Sequence, residues 1–357
     1  MDATYDGDVV RAGQSAREQF HDARGYGRPV DADVHLAPVE AAHLLCRGDL
    51  DAVVDDRPGN AGERLGFRAF LTSAAVSEVA FFVYKDLRDR GFYLSPARDG
   101  WVDDASGDFV VYPRGRGPWD DAVVYRVRAV GERAAVTADD LATLAAVDAD
   151  EGGTGVLAVV DEESELTYFA VESPTMTGST HHDIPEIAGD LAADRVLVWD
   201  PPAPLHEQAF YGQRLEEGDA VQLSLVEAAY LADQGTLSIA GDGGRNPAEI
   251  IGERGREVEG ERFDRRLRVY AALRAAGIVP KTGYKFGADF RTYADVESVA
   301  DLGHSERLVR VLPSGHTFTP RDLALDVRLA HGVRKEMVFA LTHDEGVEWL
   351  SVGRLTP

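Results

Sequence analysis

Three side chains in the last quarter of the 357-residue chain offer chemistry: the phenol of Tyr293, the imidazole of His304 and the ammonium of Lys335. A phenol and an imidazole can move protons, and a fixed ammonium can hold an anionic centre. The set therefore suits acid–base chemistry that needs no metal. Taken singly, each has an ordinary explanation. A Tyr ending a strand is usually core or rim, a His before Ser is usually a cap or a surface residue, and a Lys after a helix complements the helix dipole. They gain weight because the chain repeats itself and the other copy lacks two of the three.

Val83-Tyr84-x-x-Leu87-Arg88-x-x-Gly91 recurs as Val269-Tyr270-x-x-Leu273-Arg274-x-x-Gly277, and Asp108-Phe109-x-x-Tyr112 recurs as Asp289-Phe290-x-x-Tyr293. Thr137-x-x-Asp140-Leu141-Ala142 returns as Thr319-x-x-Asp322-Leu323-Ala324, and Val39-Glu40-Ala41-Ala42 as Val226-Glu227-Ala228-Ala229. Four matches in one order, with offsets of 181 to 187, imply a tandem duplication. At the downstream offset of 182, His304 falls on Ala122, Lys335 on Gly153 and Arg328 on Ala146, while Tyr293 matches Tyr112, with Pro113 after it. One copy works and the other is scaffold.

The elements that must position these residues are legible at the same level. Helices are expected around 37–47 and 224–234, then through 73–91 and 262–277, with Gly91 and Gly277 as left-handed C′ residues. A later helix in each copy opens on a Thr cap, Thr137 or Thr319, the latter followed by Pro320. VLAVVDEESELTYFAV and VFALTHDEGVEWLSV each read as two strands joined by an acidic turn. The stretch 240–260, Gly-rich and charged, reads as a loop or insertion. The fold class is α+β, a tandem duplication of a two-lobed unit with each lobe a small mixed α/β domain. The expected lobes are 1–68, 69–175 (a degenerate counterpart), 176–260 and 261–357 (the catalytic lobe).

Composition bounds the rest. There are 62 Asp+Glu against 37 Lys+Arg, a net charge of -25, and only four lysines (Lys85, Lys281, Lys285 and Lys335). That balance is expected of a protein adapted to a cytoplasm of very high salt. With 44% apolar residues the chain can bury a core, so the acidity does not signal disorder. A single cysteine, Cys46, excludes a disulfide framework and a Cys-based zinc site, and its apolar helix places it in the core. No apolar run approaches ~18 residues, and the acidic start MDATYDGDVVRAG is no signal peptide. A cytoplasmic location follows by default. Adjacent His181 and His182 point different ways and lack metal spacing, and GDGGRN is no phosphate loop. No metal and no nucleotide cofactor is expected. Residues 261–357 carry 15 Lys+Arg and 13 Asp+Glu, a net of +2, against -27 elsewhere, which spares a site for an anionic ligand.

GYKFGADFRTY (283–293), GHS (303–305) and VRLAHGVRK (327–335) resemble the archaeal tRNA-splicing endonuclease family, in the branch where two units are fused and the protein works as a homodimer. The resemblance implies restriction-nuclease-like C-terminal lobes and an intron-containing precursor tRNA as substrate, cut at a bulge–helix–bulge. It implies Tyr293, His304 and Lys335 as the triad. RNA carries its own nucleophile, and attack by the 2′-OH leaves a 2′,3′-cyclic phosphate and a 5′-OH. Tyr293 would be general base, His304 general acid and Lys335 the cation on the phosphorane. A phenol titrates near ~10 in water and an imidazole near ~6.5, so whether Tyr293 takes the proton or orients the 2′-OH stays open at this level. The resemblance also implies RNA contacts by Arg328 and Arg354, and an acidic loop, with Asp148, Asp150 and Glu151, that docks on the partner chain. The competing reading is a non-catalytic, structural tRNA- or RNA-binding protein. Neither reading involves a membrane.

Overall fold

The computed structural model describes every residue except 74, 104, 121, 147–152, 216–218 and 242. The chain divides into two compact units. One is Met1–Glu172 with Phe318–Asp322 and Gly353–Pro357; the other is Ser173–Thr317 with Leu323–Val352.

Each unit begins with a sheet whose central strand pairs antiparallel with its hairpin neighbour and parallel with a later strand. In the first unit Asp2–Tyr5 lies between Val10–Ala12 and Ala52–Asp55. In the second, Ile187–Leu191 lies between Arg195–Val198 and Leu237–Ile239. The parallel return needs a crossover, and both units supply the same amphipathic helix, Pro38–Arg47 or Leu225–Asp233. The N3 glutamate of each helix, Glu40 or Glu227, is buried and reaches back to the cap residue's N–H.

The remaining half of each unit is built mainly from five strands and two helices, the second of them Ala138–Ala145 or Pro320–Gly332. Helix Glu78–Asp89 opens on Ser77, whose hydroxyl accepts from Ala80, four residues later than the apolar pattern alone indicates. Its counterpart is Arg262–Ala275. Gly91 (φ 90°) and Gly277 (φ 76°) take the left-handed conformation that closes them. The first unit's strands run in the order Leu94–Pro96, Phe109–Val111, Tyr125–Gly131, Thr154–Val160, Leu166–Glu172. The second unit's run Val279–Thr282, Phe290–Tyr293, Arg307–Pro313, Glu336–Thr342, Val347–Leu355. In both, the third and fourth strands are parallel and the other pairs antiparallel.

Individual contacts recur as well. Asp108 accepts the N–H of Ala129 at 2.7 Å, and Asp289 that of Val311 at 2.8 Å. The Arg88 guanidinium stacks on Tyr26 at 3.9 Å, and that of Arg274 on Tyr211 at 3.9 Å.

Two sequence expectations fail here. Residues 247–259 form a helix, not a loop: Asn246 caps it, Pro247 starts it, and Ile251, Gly252 and Gly255 are buried. Gly255 is there for clearance, because a Cβ would stand 2.3 Å from the Phe263 ring. Cys46 lies in its helix as read, but on the outward face, and is exposed rather than core.

Candidate active site

Strand order alone gathers Tyr293, His304 and Lys335. Tyr293 is the last residue of Phe290–Tyr293, His304 lies just before Arg307–Pro313, and Lys335 immediately precedes Glu336–Thr342. The first pair of strands is antiparallel and the second parallel. The C-terminal end of one strand and the N-terminal ends of the other two therefore share one edge. Two backbone bonds fasten it: Glu306 donates to Thr292 O at 3.0 Å, and Glu336 donates to Glu306 O at 3.1 Å. At about 4.8 Å between neighbours, the edge spans roughly 10 Å.

Each side chain is held differently. Tyr293 is only 5% exposed and packs in an apolar cluster with Phe210, Val279 and Val296, its ring edge-on to Phe210 at 5.8 Å. His304 is exposed, between Gly303 and the buried Ser305. Lys335 lies just beyond helix Pro320–Gly332, and Arg334 before it takes the left-handed region (φ 57°), an uncommon place for a side chain. That turn lets the Lys335 N–H close back on Ala330 O at 2.9 Å. It also sends the ammonium to the Ser305 carbonyl, beside His304. The Phe286 ring centre lies 5.9 Å from Nζ. Partial burial, then the Arg291 guanidinium, pull the lysine below its usual range, and Glu306 opposes them.

Arg291 is a residue the motif reading quoted without assigning a role. Its guanidinium is 5.7 Å from the Tyr293 ring centre and near enough to act on Lys335. Its Nε–H is buried without a partner among the described residues. The strand register aligns it with Val110 in the first unit, so it too is missing from the copy without His and Lys. That comparison was the signal available in the sequence. The turn Tyr284–Phe286 is the other omission. It leaves Tyr284 86% exposed and Phe286 beneath Lys335, and the first unit has ARDGWVDDASGD (97–108) in its place.

The remaining expected residues are less gathered. Arg328 is exposed on the helix that leads to Lys335. Arg354 is exposed in Gly353–Pro357, which belongs to the first unit, not to the unit that holds the other three. Asp148, Asp150 and Glu151 lie outside the described residues. Among the described residues no three or more His, Cys, Asp or Glu form a metal-binding group, and no helix is long and apolar enough to cross a membrane.

Behind the edge, the second unit holds a cavity of about 520 Å³ lined by Arg195, Phe210, Glu227, Arg266, Lys281 and Arg291. Lys281 and Glu227 form an ion pair at 3.0 Å, with side chains 10% and 8% exposed. Burial pushes the Glu227 carboxyl up. The Lys281 ammonium and the N–H groups of Ser224 and Gly212 outweigh it and hold the group at about 2.

Comparison with known proteins identifies the family. Residues 263–349 match the family described as tRNA intron endonuclease, catalytic C-terminal domain. Residues 1–70 and 187–248 both match its N-terminal domain. The chain is 61% identical to a tRNA-splicing endonuclease of Haloarcula marismortui, over the whole of both chains. It is 52% identical to that of Haloferax volcanii, again over the whole of both. To that of Methanosarcina mazei it is 38% identical, over 98% of this chain and 97% of the other.

Proposed function

The chain belongs to the tRNA intron endonuclease family, and on that premise we propose how it acts: it cuts precursor tRNA at both intron boundaries, at a bulge–helix–bulge, using the edge that carries Tyr293, His304 and Lys335. The observation that carries this is the convergence of phenol, imidazole and ammonium on one sheet edge of the only copy that has all three. Tyr293 takes the proton of the 2′-OH, His304 protonates the departing 5′-oxygen, and Lys335 stabilises the charge that develops on the phosphorane. Arg291 adds a second cation between phenol and ammonium. Arg328 and Arg354 contact the RNA. A 2′-OH nucleophile makes a metal unnecessary.

The test is precursor tRNA in molar KCl with EDTA, followed by end-group analysis. Cleavage is expected to proceed, leaving 2′,3′-cyclic phosphate and 5′-OH ends. Phosphate contacts weaken steeply with salt, so activity there requires recognition by shape and short-range contacts. A 5′-phosphate product, or loss of all cleavage above about half-molar salt, counts against the mechanism. Binding without cleavage would favour a non-catalytic RNA-binding protein instead.

The unit boundaries are read as a tandem duplication, with restriction-nuclease-like second lobes and a first unit stripped of its chemistry. The recurring strand orders and the doubled N-terminal match support this. One triad per chain and two cuts per intron call for a homodimer in the cytoplasm. Its contact is the acidic loop with Asp148, Asp150 and Glu151. Charge reversal at the three acidic positions is expected to move the protein from dimer to monomer on a sizing column; an unchanged dimer would remove the loop from the contact.

A further inference from the structure

The turn beside Lys335 exposes apolar surface that the core does not use. Tyr284 opens the short turn Tyr284–Phe286 and is 86% exposed, while the Phe286 ring centre lies 5.9 Å from Lys335 Nζ. Gly287 closes the turn at φ 70°, and a Cβ there would stand 3.7 Å from Leu329 Cδ1, so Leu329 lies against the turn. The helix that carries Leu329 buries Leu323, Val327 and Ala330. Leu325 and Leu329 are left out of that face, 53% and 45% exposed, with the exposed Arg328 on the same side at helical spacing.

Charge sets this ledge apart from the rest of the chain. In a protein of net charge -25, residues 325–334 hold a single carboxylate, Asp326, which is buried and paired with Arg310. The exposed side chains of that stretch are leucine, valine, histidine and arginine, and the turn adds the exposed Lys285. The first unit has no such ledge. At the offset of 182, Leu325 falls on Thr143, whose hydroxyl donates to Asp139 O at 2.8 Å, and Arg328 falls on Ala146. An exposed ring with aliphatic and cationic neighbours and no carboxylate suits a flat apolar group that carries negative charge alongside it. An unpaired nucleotide is such a group: its base stacks on an aromatic side chain, and its phosphate meets the cations. Position favours the same occupant, because the strand whose scissile phosphate sits at Lys335 runs beside this turn.

We propose that Tyr284 is a stacking platform for one unpaired base near the scissile phosphate, with Leu325 and Leu329 extending the apolar surface beside it. This rests on the reading of the Tyr293, His304 and Lys335 edge as the cleavage site. Contacts to phosphate weaken steeply as salt rises. A base laid on a ring releases no counterions, so the platform carries a growing share of the affinity in concentrated salt.

The test uses the full-length protein in molar KCl and a precursor tRNA with 2′-deoxyribose at both scissile positions, which cannot be cut. 2-Aminopurine at one bulge position per sample reports stacking. Binding is expected to quench the fluorophore at one position. Tyr284→Ala is expected to lose that quenching and to raise Kd by about 5–100-fold, the range for one base stacked on an aromatic ring. Tyr284→Phe keeps the ring and is expected to keep the quenching. The unfolding midpoint should not move in either variant, because the side chain lies outside the core. Quenching at no position, or equal quenching and Kd in Tyr284→Ala, would overturn the proposal. So would a shift of Tyr284→Ala from dimer to monomer on a sizing column, which would give the ledge to a second copy of the chain. The probe is never cut, so an error in the roles of the triad shows in the end groups of an ordinary precursor and not here.

Discussion

Replacing His304 with Ala is expected to lower the single-turnover cleavage rate on precursor tRNA by about 10²–10⁴-fold, the range typical of a lost general acid. Substrate affinity and unfolding midpoint should not move, because His304 is exposed and sits outside the core. Lys335→Ala removes charge stabilisation and is expected to cost about 10²–10³-fold. The double variant should fall little further than the worse single one, since the groups act on one transition state. Tyr293→Phe separates the two roles open to the phenol. A large loss fits a base, whereas nearly full cleavage would end that assignment. An unchanged rate for His304→Ala would sink the mechanism altogether.

The second large effect is on stability. Lys281→Met is expected to destabilise the protein by about 3–5 kcal/mol, read from urea unfolding, because it leaves Glu227 buried and unpaired. Lys281→Met with Glu227→Gln should recover most of the loss, since the second change removes the stranded charge; no recovery would mean that lost packing, not charge, is responsible. The pH dependence has a definite sign. Held at about 2 when folded and near ~4.3 when unfolded, Glu227 contributes stability that is fully present above ~4.3 and lost as pH falls toward 2. Without its lysine the carboxyl should move the other way. The first unit shows the direction: burial pushes Glu40 up to about 7 against the pull of its two N–H donors and of Arg88. A carboxyl raised in this way contributes stability that is lost as pH rises toward neutrality. The variant's acid limb should therefore flatten while stability falls on the alkaline side.

Much of this architecture was written locally. Thr137 and Thr319 cap where they were expected, and Gly91 and Gly277 turn where they were expected, because capping and positive φ depend on a few neighbouring residues. Tyr293, His304 and Lys335, which the strands bring to one end of a sheet, stood out in the sequence because the sister copy lacks two of them. Helix Pro247–Glu259 was not, because the glycines that suggest a loop are the ones that let it approach Phe263. The exposure of Cys46 depends on which face of its helix turns outward, and an apolar run does not say. Arg291 and Phe286 stood in plain view inside the motif. Their relevance depends on strand register, which brings Arg291 beside Tyr293 and Phe286 under Lys335.

The parallel return in each N-terminal sheet also sets an order of events during synthesis. Asp2–Tyr5 finds its hairpin neighbour Val10–Ala12 almost at once, but its parallel partner begins at Ala52. At roughly 5–20 residues per second, one edge of that strand waits about 3–10 s with its N–H and C=O groups unpaired. Ile187–Leu191 repeats the delay before Leu237 is made. An unpaired edge is a template for a neighbouring nascent chain, and at molar salt acidic side chains repel only over ~3 Å. Brevity is then the protection: strands of four and five residues offer an intruder few bonds before the rightful partner arrives.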